Sequence, residues 1–289
     1  MHYDAVVYWN KGAISEINQD SLVLMQALTS KGRVLLAAVC DGMGELGECA
    51  SGYLTKEFTT WFEDGLLDAL CKKNPVCAIR RFVERKVYRI QCRMHEYAEN
   101  CGQEMGTTLS MLIIWEKKYM LWHLGESRIY RFFQCKKAKI RTKARGNMKD
   151  LENMFELENV NELEEPTKYI GSVGFFLPDF ETGTIRSGDA FLLCSDAFIR
   201  RITLEEIVGV LTPKKMTEEV CKRRLREIGE AAMRRGERDN MSAVYVRASA
   251  HKKRDRRSIK EWVKYLWTML KFWQENMSCK SRLEKEDAA

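Results

Sequence analysis

Four aspartates stand where a chain can hold chemistry rigidly. Asp41 follows the apolar run Val34-Leu35-Leu36-Ala37-Ala38-Val39-Cys40 and opens Asp41-Gly42-Met43-Gly44. Asp196 follows Ala190-Phe191-Leu192-Leu193-Cys194-Ser195, Asp239 opens Asp239-Asn240-Met241-Ser242, and Asp20 closes Asn18-Gln19-Asp20. Taken singly, an aspartate at such a place is a turn residue or a helix cap. Repeated at the ends of buried-looking strands it asks for more, because a carboxylate there is costly unless it meets a cation or a set of hydrogen bonds. Oxygen donors without interspersed histidine or cysteine select a hard cation, Mg²⁺ or Mn²⁺, over zinc. Gly42 suits that chemistry, since a residue without Cβ lets a backbone carbonyl approach an ion.

The elements that must position these residues can be read from periodicity and turn signals. Strand runs are expected at Ala5–Trp9, Ser21–Leu28 and Arg33–Cys40, with turns at Lys11-Gly12 and Lys31-Gly32. Helical spacing follows over Glu48–Leu70 and Pro75–Asn100, with Pro75 suited to a first turn. A second strand series covers Thr107–Trp115, Tyr119–His123, Ser127–Phe133 and Lys137–Thr142. Gly146–Pro166 reads as a polar surface segment. Strands return at Phe180–Ile185 and Ala190–Cys194, then come helices from Thr203 and around Thr217–Arg235, and a last strand at Ser242–Val246. Strand runs punctuated by helix pairs argue for an α+β layered domain of antiparallel sheet with helices outside, ending near Arg247.

Six blocks carry a resemblance. They are Asn18-Gln19-Asp20-Ser21; Asp41-Gly42-Met43-Gly44 with Gly47-Glu48 and Ala50-Ser51; Met105-Gly106-Thr107-Thr108-Leu109; Gly125-Glu126-Ser127-Arg128-Ile129-Tyr130; Gly188-Asp189 with Leu192-Leu193-Cys194-Ser195-Asp196; and Asp239-Asn240-Met241-Ser242. In this order and over residues 1 to 247 the chain resembles the bacterial branch of the metal-dependent protein phosphatases, the protein phosphatase 2C family. The resemblance implies a four-layer αββα sandwich, two antiparallel sheets flanked by helix pairs. It implies phosphoserine/phosphothreonine hydrolysis in signalling, by a water activated between two Mg²⁺ or Mn²⁺ ions. Asp41 matches the bridging carboxylate, the Gly42 carbonyl a ligand of one ion, and Asp196 and Asp239 the ligands of the other. Gln19 and Asp20 match positions that hold metal-bound water. Gly146–Pro166 falls at the family's substrate-contacting flap, without clear similarity there.

The chain departs from the family's pattern at Ser15, Glu126, Ala197 and Arg200. Ser15 stands where an arginine usually grips the substrate phosphate, and the loss of one charge-assisted hydrogen bond weakens such binding by about ten- to a hundredfold. Lys11 is a candidate substitute. Glu126 replaces an aspartate associated with a third ion. Ala197 replaces glycine, and Arg200 replaces an acid, which disfavours that third ion. Two readings of Arg200 compete: it turns outward into solvent, or its planar fork takes over phosphate binding. The leaving-group acid is unassigned, since Met43 stands where eukaryotic relatives have histidine, and His2, His95, His123 and His251 lie in other segments. The alternative to an active enzyme is a weak or inactive phosphatase-like binding and regulatory module.

Of the net charge of +7, a surplus of five lies in residues 250–289, with 11 Lys/Arg against 6 Asp/Glu. The nearly neutral body gives no basic face of the kind nucleic acid requires. The tail, 248–289, opens on His251-Lys252-Lys253-Arg254-Asp255-Arg256-Arg257 and continues as an amphipathic stripe of Ile259, Trp262, Val263, Leu266, Met269, Leu270 and Trp273. Over residues 251–277 this reads as membrane-surface or partner docking, or as a helix packed back on the body. The ten cysteines contain no C-x-x-C pair, which argues against a zinc ribbon or a disulfide framework. The start MHYDAVVYWN carries no basic region followed by a long apolar stretch. The expectation is a cytoplasmic chain, peripheral at the inner membrane surface if the tail docks there. Its expected partners are phosphorylated proteins, in opposition to a serine/threonine kinase.

Overall fold

The structure is a computed structural model that describes residues 1–133, 137–140, 168–172, 174–212 and 217–249, with the backbone alone described at 137–140. The flap region 146–166 and the tail from 250 onward lie outside the described residues. Two five-stranded antiparallel sheets carry the fold. The first is ordered β1 (His2–Asn10), β12 (Met241–Ser249), β11 (Ala190–Cys194), β8 (Arg128–Phe133), β9 (Lys137–Ile140). The second is ordered β10 (Asp179–Thr184), β7 (Lys118–Leu124), β6 (Leu109–Trp115), β3 (Gly32–Cys40), β2 (Ser21–Thr29). Helices α1 (Gly47–Asp64), α2 (Leu66–Leu70) and α3 (Pro75–Cys101) cover the second sheet, and α4 (Asp196–Ile199), α5 (Leu204–Leu211) and α6 (Glu218–Arg234) cover the first. This is the expected four-layer αββα sandwich.

Alternation along the strands builds the layers. In β3, Val34, Leu36, Ala38 and Cys40 face the α1–α3 side, while Leu35, Ala37 and Val39 face the opposite sheet. The strand is buried on both faces, so it reads as one continuous apolar run. In β12, Met241, Ala243 and Tyr245 face the α4–α6 side, and Val244, Val246 and Ala248 face the opposite sheet. Each such fully buried Leu or Val contributes about 1.5–3 kcal/mol relative to exposure. A one-residue slip would turn every one of them to the wrong layer.

Three local features differ from expectation. The helix expected over Glu48–Leu70 divides at Gly65, where a Cβ would come within 2.7 Å of the Trp61 ring. The first two strands do not pair with each other: β1 lies beside β12 and β2 beside β3, so residues 11–20 cross from one sheet to the other. A two-residue ladder, β4 (Gly42–Met43) against β5 (Gly106–Thr107), was not anticipated. Helix signals hold: Pro75 opens α3, with the Asn74 side chain accepting from the Cys77 N–H, and Gly102 closes it at φ 65°. Among the described residues, no helix is long and apolar enough to cross a membrane.

Candidate functional site

The same alternation carries the polar residues to one end of the sandwich. Asp41 continues the inter-sheet face of Leu35, Ala37 and Val39 just past the end of β3, and Asp20 precedes Ser21 on the face of Leu22 and Leu24. Opposite them, Ser242 lies on the face of Val244 and Val246, and its hydroxyl donates to Asp20 Oδ2 at 2.7 Å. Ser195 joins the same corner, accepting from the Ser242 N–H at 3.0 Å. Asp196 opens α4, and Asp239 lies in the turn before β12. The structure thus brings Asp20, Asp41, Asp196 and Asp239 into one electrostatic group.

A hydrogen-bond lattice holds the loops that carry them. The Asp41 N–H donates to Thr108 Oγ1 at 3.0 Å, and its carbonyl accepts from the Thr108 N–H at 2.9 Å and Thr107 Oγ1 at 3.0 Å. Ser51 donates to the Gln19 carbonyl at 2.6 Å, and the Gln19 side-chain amide donates to the Gly44 carbonyl at 3.0 Å. Asn240 staples the crossover: its Oδ1 accepts from the Gln19 N–H at 2.8 Å and its Nδ2 donates to the Lys11 carbonyl at 2.6 Å. Gly42 is indispensable to this closeness, since a Cβ there would meet the Gly47 carbonyl oxygen at 2.2 Å and the Gln19 carbonyl oxygen at 2.6 Å.

The carboxylates destabilise one another. Asp20 is 1% exposed, and its Oδ1 has no hydrogen-bond donor among the described residues. Burial is the largest cause that pushes Asp20 up, to about 6; the Ser242 and Ser195 hydroxyls and a hydrogen bond from the Asp41 carboxyl oppose it, and the Asp196 charge adds to it. Asp41 is driven well above the usual carboxylate range by burial and then by the charges of Asp20, Asp196 and Asp239. In the metal-free chain, the folded state therefore holds a proton between about pH 4 and 6 that the unfolded chain has released. The stability this carboxyl contributes should be fully present below about pH 4 and be lost as pH rises through that window. Urea midpoints of chelator-treated protein at pH 4 to 7 should decline, and Asp20→Asn should flatten the decline; a midpoint that rises with pH contradicts this account.

Arg200 does not stand free in solvent. One helical turn beyond Asp196, it bends back into the acids: Nη2 lies 2.6 Å from Asp196 Oδ2 and 3.6 Å from Asp239 Oδ2, and Nη1 lies 3.2 Å from Glu237 Oε1. These three carboxylates hold its charge firmly. Glu237, 7% exposed, also accepts from the Arg238 and Asp239 N–H groups at 3.0 and 3.2 Å, so it fixes both the turn and the guanidinium. Sequence reasoning missed Glu237, because Gly236-Glu237-Arg238 looks like any charged turn. Lys11 is exposed, with its carbonyl pinned by Asn240, and Ser15 lies on the same crossover. Cys40 and Cys194 are wholly buried free thiols pushed up by burial, as core residues should be.

The donors divide into two halves by their fit to a divalent ion. Around Asp41, the Gly42 backbone and the orphaned Oδ1 of Asp20, the chemistry fits a hard cation: oxygen atoms only, crowded negative charge, and an unsatisfied buried acceptor. Around Asp196 and Asp239, a guanidinium already stands between the carboxylates. Among the described residues, no three His, Cys, Asp or Glu side chains close around one point as they stand.

No protein-family model matches the chain, and no curated protein sequence matches it significantly. Solved structures do. A bacterial serine phosphatase aligns with a TM-score of 0.70 at 21% identity, covering 87% of this chain and 100% of its own. The serine/threonine phosphatase Stp1 from Staphylococcus aureus aligns at 0.69 with 19% identity, covering 86% and 96%. The catalytic domain of the serine/threonine protein phosphatase PstP, solved with two manganese ions, aligns at 0.66 with 21% identity, covering 86% and 99%. The αββα sandwich that the six motif blocks implied is therefore the fold of this chain, and it is the fold of the bacterial serine/threonine phosphatases.

Proposed function

We propose that the chain is a divalent-metal-dependent phosphatase of phosphoserine and phosphothreonine in proteins. The observation that carries this reading is the convergence of Asp20, Asp41, Asp196 and Asp239 at one end of a phosphatase-type sandwich, with Asp20 Oδ1 buried and unsatisfied. Asp41, the Gly42 carbonyl, Asp196 and Asp239 would hold two Mg²⁺ or Mn²⁺ ions, with Gln19 and Asp20 behind them. When bound, such a pair supplies a nucleophile at neutral pH and charge neutralisation for the phosphoryl oxygens.

The chain's own residues supply the rest. Thr107 and Thr108 fix the Asp41 backbone, so that its carboxylate faces the gap between the sheets. Ser242 orients Asp20, whose Oδ1 would be placed to accept from a metal-bound water. Asn240 and Ser51 hold the crossover against α1, so the site is assembled before substrate arrives. Without an arginine at Ser15, phosphate binding would fall to Lys11 on the same crossover or to Arg200, whose guanidinium is 37% exposed beside Asp196.

Chelated protein should hydrolyse p-nitrophenyl phosphate and a phosphothreonine peptide only after Mn²⁺ or Mg²⁺ is restored. Metal binding without turnover would instead favour the regulatory-module reading, to which the Arg200 contacts and Ser15 lend weight. In the cell, the reading places the chain in the cytoplasm opposite a serine/threonine kinase, with 251–277 as a docking segment for a membrane surface or a partner protein.

A further inference from the structure

The Asp196–Asp239 half of the site already holds a cation without metal. Nη2 of Arg200 spans Asp196 Oδ2 at 2.6 Å and Asp239 Oδ2 at 3.6 Å, and Glu237 anchors Nη1 from behind at 3.2 and 3.3 Å. Across the gap, no ammonium or guanidinium contacts Asp41 or Asp20 among the described residues, and Asp20 Oδ1 is a buried acceptor without a donor. One half of a single acidic site therefore holds a guanidinium among its three carboxylates, and the other holds no side-chain cation among the described residues.

We infer that Arg200 is a tethered competitor for one of the two ions: it occupies the Asp196–Asp239 position in the resting chain, and the second ion enters only as the guanidinium leaves. A divalent ion bound by these carboxylates needs their oxygens at about 2.0–2.2 Å. Each carboxylate keeps further lone pairs while its Oδ2 accepts from Nη2, so the competition is one of charge and space: a guanidinium held between the two carboxylates repels a dication brought to them. Departure is open to Arg200, because its side chain is 37% exposed at the end of the four-residue helix α4, so it can swing outward without disturbing the core. Glu237 sets how firmly it stays. The consequence is regulation by metal supply: one ion binds readily at Asp41, and the second binds only at higher concentration.

This inference rests on the two-ion reading above, and metal binding rather than turnover tests it. The full chain, freed of metal, is titrated with Mn²⁺ by calorimetry, with the free ion counted by electron paramagnetic resonance. Wild type should bind in two phases, the second at least about tenfold weaker than the first. Arg200→Ala should strengthen the second phase by at least about tenfold and leave the first little changed. Arg200→Gln, which is shorter but keeps a polar amide and drops the charge, should behave likewise and guards against a folding defect in the alanine variant. Glu237→Gln, which loosens the anchor, should move the second phase in the same direction by less. Two ions bound with equal affinity in wild type and both Arg200 variants would overturn the inference and leave the two-ion reading standing. A single ion in all of them overturns it as well, and no bound ion in any removes the two-ion reading along with it.

Discussion

Asp41→Asn should abolish metal-dependent hydrolysis of p-nitrophenyl phosphate, and Asp196→Asn should do the same. Substituting a group that merely supports a metal ligand lowers metal affinity or activity by about 10–100-fold. Loss of a carboxylate placed to bind an ion directly should exceed that, a fall in kcat/KM of at least about a hundredfold. The asparagine keeps the shape and one oxygen, so the packing around β3 should survive. Stability adds a second signature. Asp41 is held against the charges of Asp20, Asp196 and Asp239, so its neutral replacement should raise the melting temperature of metal-free protein at pH 7 while destroying turnover. An ordinary structural aspartate would show the reverse, lower stability with activity intact. Asp68→Asn, on the exposed face of α2, serves as the control and should change neither. Metal-dependent rates within tenfold of wild type in Asp41→Asn would defeat the proposed function.

How much of this was legible in the sequence differs from residue to residue. The layers were, because strand alternation and helix spacing are local properties: the run from Val34 to Cys40 announces a strand buried on both faces, and Ile79, Val83, Val87, Ile90 and Met94 announce one face of α3. Strand partners were not. Nothing near Lys11-Gly12 tells a hairpin from a crossover, and pairing β1 with β12 joins residues more than two hundred positions apart. Asp41 and Asp196 were found because each ends an apolar run, and Asp20 and Asp239 because each stands just before one. Their convergence came from the ordered motif set, since spacing alone does not join segments so distant. Arg200 was singled out, but its direction was not readable. An arginine four residues after an aspartate on a helix faces the same side, which favours the Asp196 contact. The contacts to Glu237 and Asp239, however, depend on the α6–β12 turn folding back against α4, a tertiary event. Glu237 carried no signal, because its role is to accept two backbone N–H groups and one guanidinium that only the fold assembles.

Gly42→Ala should damage fold and chemistry together, from the addition of one methyl group. The new Cβ would stand 2.2 Å from the Gly47 carbonyl oxygen, 2.5 Å from its carbon and 2.6 Å from the Gln19 carbonyl oxygen. All three are backbone atoms, so no side chain can swing aside to make room. Either the first turn of α1 or the 11–20 crossover must shift, and each is tied to the site, through Ser51 to Gln19 and through Asn240 to the Asp239 turn. Forcing an added carbon into close-packed surroundings costs about 1–3 kcal/mol, which for a domain of this size lowers the melting temperature by several degrees. The larger effect should fall on the metal. In the proposed site the Gly42 carbonyl would face an ion, and a few tenths of an ångström of displacement would spoil coordination, so Mn²⁺ affinity and turnover should fall further than stability. Gly52→Ala gives the contrast. It lies in α1 with nothing within 4 Å of its would-be Cβ, and alanine's better helix propensity should stabilise the chain by up to about 1 kcal/mol without touching activity. If Gly42→Ala melts with wild type and keeps its metal response, the close approach of β4 to α1 is not what holds the site together.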